Sequence, residues 1–271
     1  MKIFKNKKKL QKEILNERNI SFIPTMGGLH KGHVSLIKKS KNFPGKSLVS
    51  IFINPKQFND KKDFKTYPRN FKRDLKILKK FKVDYVYLPI NEEIFSFRPK
   101  HEVFINNFSK KLCGRNRKGH FEGVLNVVNR FLELIRPKYI LLGLKDFQQL
   151  SLIKEHIIKR KINTKIVACK IIREKNGMPC STRNKNIKKK YIQLGSKVYK
   201  YLVSLKKKIK KNIRNFNSAK IKKELFNMGI DKVNYIELLN IKTLKRPKYS
   251  KDKFNIFISY YLDKVRLIDN I

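Results

Sequence analysis

Phe22-Ile-Pro-Thr-Met-Gly-Gly-Leu-His-Lys-Gly-His33 runs from an apolar, strand-like segment through paired glycines into the start of a helix. His30 and His33 are three residues apart. A helix start places both imidazoles on one face, beside backbone N–H groups that lack partners within the helix and at the positive end of its dipole. That combination suits a polyphosphate. Gly27, Gly28 and Gly32 let the backbone approach a ligand that any Cβ would hold away. Two further readings of the pair stay open at this point. One is a metal site, for which only His101, His120 and His156 remain as additional histidines. The other is a helix cap carrying two surface rings.

Outward from this stretch, helical and strand-like periodicities alternate. A short amphipathic helix is expected over 4–18, then strands over 21–24, 46–54, 83–88, 139–142 and 165–172, with helices over 67–81 and 148–159 between them. Val124, Val127, Val128, Phe131, Leu134 and Ile135 recur at helical spacing until Pro137, the pattern of a helix packed on a sheet. Asp146 stands where it could cap the following helix. Strand and helix in alternation predict an α/β fold with a parallel sheet. From residue 187 onward, lysine-rich helices and a lone strand, Phe254–Leu262, read as a smaller α+β unit. Gly177 and Pro179 punctuate a linker over 176–186. The expected domains are therefore 1–176 and 177–271.

The chain has 271 residues, of which 41% are hydrophobic and 32% charged, enough apolar side chain for a core. No apolar run reaches the roughly 18 to 20 residues that span a bilayer, and the basic start lacks a signal-peptide core. Cys113, Cys169 and Cys180 are odd in number and widely spaced. A soluble protein of the reducing cytoplasm is expected, with no membrane partner and no zinc site. Lys and Arg total 67 against 20 Asp and Glu, a net charge of +47. The excess is spread along the chain and is mostly lysine, accompanied by abundant Ile and Asn, as in sequences from A+T-rich genomes. It is read as solvated surface, with no specific nucleic-acid partner.

The spacing His-x-Gly-His after a first strand resembles the nucleotidyl-transferring α/β superfamily, which pairs it with a later phosphate loop. Met178-Pro-Cys-Ser-Thr-Arg-Asn184 has that composition: hydroxyls from Ser181 and Thr182, and the guanidinium fork of Arg183. Seven blocks then narrow the resemblance: Pro24 to His33; Ser50-Ile-Phe-Ile-Asn-Pro-Lys-Gln-Phe58; Tyr67-Pro-Arg69; Gly119-His-Phe-Glu-Gly-Val124; Gly143-Leu-Lys-Asp-Phe-Gln-Gln-Leu150; Arg173 to Asn184; and Val265-Arg-Leu-Ile-Asp-Asn270. In this order they resemble the pantothenate synthetase (pantoate–β-alanine ligase) family.

That resemblance implies an ATP-dependent ligase joining pantoate to β-alanine through a pantoyl-adenylate. It also implies Mg²⁺, a Rossmann-like nucleotide and pantoate domain with a smaller C-terminal lid, and a homodimer. It carries ATP binding onto Met26, Gly27, Gly28, Leu29, His30, Lys31, Gly32 and His33; onto Gly143, Leu144, Lys145, Asp146 and Ile172; and onto Cys180, Ser181, Thr182 and Arg183. Within these, His33 matches the proton donor, with polyphosphate expected to raise its pKa, and His30 its phosphate-side companion. Lys145, Ser181 and Arg183 match residues acting on the transferring phosphate. Gln57 and Gln149 match the pantoate-holding glutamines, with Asn54, Arg117 and His120 as secondary pantoate or β-alanine contacts. Three departures stand out: Leu144 replaces the family's glutamate, Cys180-Ser-Thr182 replaces a loop with two serines, and Asp74 is the sole carboxylate over 70–80. The metal ligands stay unassigned, Asp74 and Asp146 being the carboxylates to inspect.

Two rivals remain at this stage. An RNA-linked aminoacylating enzyme would give the charge a purpose, but it lacks here a K-x-S-K loop and any module resembling an anticodon reader. A non-enzymatic basic binding protein would have no use for His30, His33, Lys145 and Arg183.

Overall fold

A computed structural model describes residues 1–59 and 61–271. Six strands, β1 (Lys2–Phe4), β2 (Ile20–Thr25), β3 (Lys46–Ile51), β4 (Tyr85–Tyr87), β5 (Tyr139–Gly143) and β6 (Lys165–Cys169), form one sheet in the order β1-β4-β3-β2-β5-β6. Every pair is parallel. The crossovers carry α1 (Lys7–Ile14), α2 (Lys31–Ser40), α3 (Lys61–Thr66), α4 (Phe71–Lys80), α5 (Asn91–Phe95), α6 (Leu112–Arg115), α7 (His120–Ile135) and α8 (Phe147–Lys159). The chain divides into two compact units, Met1–Ile171 and Ile172–Ile271. The second holds α9 (Lys189–Lys211), α10 (Ser218–Asn227) and an antiparallel sheet of β7 (Val233–Asn240), β8 (Phe254–Leu262) and β9 (Val265–Asn270).

The central strands are apolar on both faces because helices cover both. On one side Ile23, Val49, Val86 and Leu141 meet Leu36 and Ile37 of α2 and Leu78 of α4. On the other, Phe22 packs on Phe131 of α7 with ring centroids 5.4 Å apart. The six residues that repeat along α7 are all buried. In the second unit Val198, Leu202, Leu205 and Ile209 of α9 share a core with Ile256 and Ile258 of β8.

From β2 the chain winds outward through β3 to β4, then returns to place β5 on the opposite side. The sheet order thus reverses between β2 and β5. In parallel α/β sheets the crevice beyond the strand ends at such a reversal is where ligands bind, because neighbouring connections leave in opposite directions. The glycine turn leaves β2 there, and the segment bearing Lys145 leaves β5 beside it.

Several expectations need correction. Residues 4–18 are not one helix: Lys2–Phe4 is an edge strand paired with Tyr85–Tyr87, and α1 begins only after Asn6, whose side chain accepts from the Lys9 N–H at 3.1 Å. The helix expected over 67–81 is shorter, with Asn70 as its cap. Asp146 occupies the cap position of α8, yet its side chain makes no capping hydrogen bond. Phe254–Leu262 is not alone, since β7 and β9 flank it. The β8–β9 turn is Asp263-Lys264 with Asp263 at φ 54°, so it lacks the Asn-Gly or Asp-Gly signature that marks a tight hairpin in sequence. Gly177 and Pro179 belong to a hairpin in which Arg173 bridges Pro179. Among the described residues no helix is long and apolar enough to cross a membrane.

Candidate active site

The glycine turn after β2 has Gly27 at φ +80° and Gly28 at φ +64°. Its amides point into the protein. Gly27 N–H donates to Thr25 Oγ1 at 3.2 Å, Gly28 N–H to Asp74 Oδ2 at 2.7 Å and Leu29 N–H to Asp74 Oδ1 at 2.9 Å. At the helix start that follows, Gly32 N–H donates to His30 Nδ1 at 3.1 Å and His30 N–H to His33 Nδ1 at 3.3 Å, a reciprocal cap built from two imidazoles. The free N–H groups expected from the sequence are therefore already engaged by the protein at Gly27, Gly28, Leu29, His30 and Gly32.

These bonds also settle the tautomers. An Nδ1 that accepts from a backbone amide carries no proton, so each neutral ring bears its hydrogen on Nε2. The rings lie against each other, tilted by 36° with centroids 4.0 Å apart. His33 is half-buried, and the protein crowded around it disfavours charge and lowers its pKa to about 4. Asp146 pulls the other way, and Lys145 adds slightly to the lowering. At neutral pH His33 is thus a neutral Nε2–H donor. The cationic ring expected from the sequence is opposed by desolvation.

Beyond β5, Lys145 is largely shielded while Asp146 is about half exposed, with Nζ and Oδ1 3.5 Å apart. Both feel His33 electrostatically. Leu144 lies between them and the strand end, so the carboxylate absent at 144 leaves Asp146 as the acid of this segment. Gln148 and Gln149 separate in role although adjacent. Gln148 is buried, accepting from Cys113 N–H at 3.0 Å and donating to the carbonyls of Phe108 and Lys111. Gln149, a helical residue further round, is half exposed.

Gln57 is held by an apparatus around its backbone. His120 Nδ1 lies 2.7 Å from the Gln57 carbonyl, Arg117 Nη2 donates to the same oxygen at 3.2 Å, and Arg117 Nη1 stands 2.8 Å from His120 Nε2. A guanidinium only donates, so Nε2 accepts and the proton sits on Nδ1, aimed at Gln57. Asn54 Nδ2 donates to the Gly123 carbonyl at 3.0 Å, while its Oδ1 caps the turn at Lys56 N–H. The Gln57 amide reaches back to Met26 Sδ. Asn54, Arg117 and His120 thus engage the Gln57 loop. Gly123 is required here: a Cβ would fall 2.3 Å from the Lys56 carbonyl oxygen.

In the second unit, Ser181 Oγ accepts from Arg183 N–H at 3.3 Å and opens a 3₁₀ turn over Thr182–Asn186. Cys180 is buried, its thiol donating to Glu174 Oε1 at 3.1 Å. Ile172 N-terminal to them accepts from Cys180 N–H at 2.9 Å. Below this loop the Arg173 guanidinium forms two hydrogen bonds with Asp269, at 2.7 and 3.0 Å, and lies over the Tyr199 ring. Sequence reading quoted Gly123 and Asp269 within their blocks but gave them no role, and it did not find the bonds of Asp74. Each acts on a partner 45 to 96 residues away, and no local pattern encodes such a pairing. Among the described residues no group of three or more His, Cys, Asp or Glu could hold a metal ion.

The profile of the pantoate-beta-alanine ligase family matches residues 2–271. Pantothenate synthetase of Francisella tularensis subsp. novicida is 36% identical over 267 residues, covering 96% of this chain and 92% of that protein. Its counterpart in Fervidobacterium nodosum is 35% identical, covering 97% and 95%. Among solved structures, the Francisella tularensis ligase complexed with β-γ ATP and β-alanine superposes with a TM-score of 0.83 at 34% identity, covering 100% of this chain and 97% of that one. The Thermus thermophilus enzyme gives 0.90 at 25% identity, covering 100% and 99%.

Proposed function

The chain belongs to the pantoate-beta-alanine ligase family, and from that premise we propose that it joins pantoate to β-alanine at the expense of ATP, through a pantoyl-adenylate. The observation that carries this reading is His33, of the imidazole pair after β2, within electrostatic reach of Lys145 and Asp146 after β5, at the reversal of the sheet order.

A carboxylate is a poor electrophile at neutral pH, so the acid must first become a mixed anhydride. A pantoate carboxylate oxygen attacks the α-phosphorus of ATP, the bond to the β-phosphate oxygen breaks, and pyrophosphate leaves. Charge grows on phosphate oxygens as this happens, and donors fixed beforehand stabilise it without reorganising. His30 and His33 supply Nε2–H donors and Lys145 a cation. Ser181, Thr182 and Arg183 are assigned to the nucleotide by the family resemblance. In the second step the neutral amine of β-alanine attacks the acyl carbon, AMP departs with the anhydride oxygen, and the nitrogen loses a proton. Gln57 and Gln149 read the hydroxyl and carboxylate groups of pantoate without adding fixed charge.

Mg²⁺ that travels with ATP needs only one or two protein carboxylates beside the phosphates. Asp74 does not fit, because it is buried and both oxygens are turned to amide protons of the protein. Half-exposed Asp146 fits; it would hold the ion, which would neutralise phosphate charge. A homodimer working in the cytoplasm completes the proposal. Purified protein should release pyrophosphate only when pantoate and ATP are both present, and should form pantothenate when β-alanine is added. Pyrophosphate release that ignores pantoate would overturn the reading.

A further inference from the structure

Asp74, in the first turn of α4, has 1% of its surface exposed in a chain of net charge +47. A carboxylate buried so deeply persists only where hydrogen bonds replace its lost water. Both of its oxygens serve one target, the amides of Gly28 and Leu29 at 2.7 and 2.9 Å. The fit is close on the other side too, since a Cβ on Gly27 would meet Asp74 Oδ2 at 3.0 Å. Successive glycines with positive φ next to a helix start would, without this carboxylate, form a backbone nest for an anion. Asp74 fills that nest from within the protein.

We propose that Asp74 is a positioning residue for ATP activation: it turns the amides of the glycine turn inward, so that the nucleotide phosphates meet the imidazole edges of His30 and His33 instead of the backbone. The inference rests on the ATP-dependent reading above. Two charge-assisted bonds fix the peptide planes immediately before His30. The entry angle of α2, and with it the direction of both Nε2–H groups, follows from them. A cation approaching the same oxygens would face the two amide protons, which sets this role apart from metal binding.

Two measurements test it. In the wild-type protein, the Gly28 and Leu29 amides should be protected from hydrogen exchange and their resonances unmoved by a non-hydrolysable ATP analogue with Mg²⁺, while the ring signals of His30 and His33 move. Amide signals that shift together with the rings would mean that the turn itself binds phosphate, and would overturn the proposal. In Asp74→Asn only one acceptor oxygen remains, so exchange at these amides should quicken at least about tenfold. The kcat for pyrophosphate release should fall by roughly 10- to 100-fold, because displaced catalytic groups cost about that much. The pantoate KM and the Mg²⁺ concentration for half-activation should stay unchanged. Unaltered kcat, or a large rise in the Mg²⁺ requirement, would refute the positioning role, the latter in favour of metal ligation. If the variant does not fold, the wild-type amides decide alone. If the wild-type protein makes no pantothenate, the functional reading fails, while amide protection still reports on Asp74.

Discussion

Gly123→Ala tests how the loop proposed to hold pantoate is built. Gly123 lies in the first turn of α7, where its carbonyl takes a 3.0 Å hydrogen bond from Asn54. An alanine Cβ there would stand 2.3 Å from the Lys56 carbonyl oxygen, 2.7 Å from its carbon and 3.0 Å from the Gln57 nitrogen. Ordinary van der Waals contact requires roughly 1 Å more. The obstructing atoms are backbone, so they cannot rotate aside, and the loop bearing Gln57 must retreat. Two effects on stability oppose each other. Alanine gains about 1 kcal/mol of helix propensity over glycine, and overpacking costs about 1 to 3 kcal/mol. The net loss is therefore modest, at most about 2 kcal/mol. Geometry is less forgiving, since a substrate-holding group misplaced by about 1 Å can cost on the order of a hundredfold in rate. Thermal unfolding should show a small decrease in Tm, while steady-state pyrophosphate release shows kcat/KM for pantoate lower by one to two orders of magnitude. ATP affinity should hardly change. A folded variant with kcat/KM for pantoate within about threefold of wild type would refute the claim that this helix sets the position of Gln57.

Further outcomes follow from the same geometry. His156 is fully buried, accepting from Phe104 N–H at 3.1 Å and lying 2.9 Å from Asn129 Oδ1, and burial lowers its pKa from 6.5 to about 4, with Arg160 and His101 adding to the effect. Between those two values the unfolded chain binds the extra proton, so stability rises with pH there and is lost on acidification, by on the order of 3 kcal/mol at full titration. Urea unfolding from pH 7 to 4 should show this slope, and an unchanged slope in His156→Gln would dismiss the assignment. Lys145→Ala should lower kcat far more than ATP affinity, because a cation on the transferring phosphate acts as transition-state charge grows; a variant impaired in ATP binding alone would make it a ground-state contact. Asp269→Asn should cost about 3 to 5 kcal/mol by leaving the Arg173 guanidinium without its buried counter-charge, and a loss below about 1 kcal/mol would show that Tyr199 and the carbonyls suffice. Gln149→Ala should raise the pantoate KM by the equivalent of about 1 to 3 kcal/mol and spare ATP; equal damage to both ligands would withdraw its pantoate role.

Periodicity along the chain carried the alternation of strand and helix, because burial between two helical layers demands continuous apolar strands and one-sided helices, as in β2 and α7. Motif spacing marked His30 and His33, whereas Lys145 and Gln57 were marked by the family resemblance of the blocks around them. Other features depended on tertiary contacts. The edge pairing of Lys2–Phe4 with Tyr85–Tyr87 joins segments more than eighty residues apart, and β9 follows a turn with no glycine to announce it. Asp74 reads in sequence as one more helical carboxylate open to a metal. Only when α4 packs beside β2 do its oxygens meet the Gly28 and Leu29 amides. The same packing turns those two backbone donors of the glycine motif inward. Desolvation then keeps His33 neutral against its ordinary tendency to titrate near neutral pH. Residue order determined which groups are present, and the three-dimensional packing decided which of their donors remain for a ligand, because hydrogen bonding and burial depend on neighbours that the local sequence does not contain.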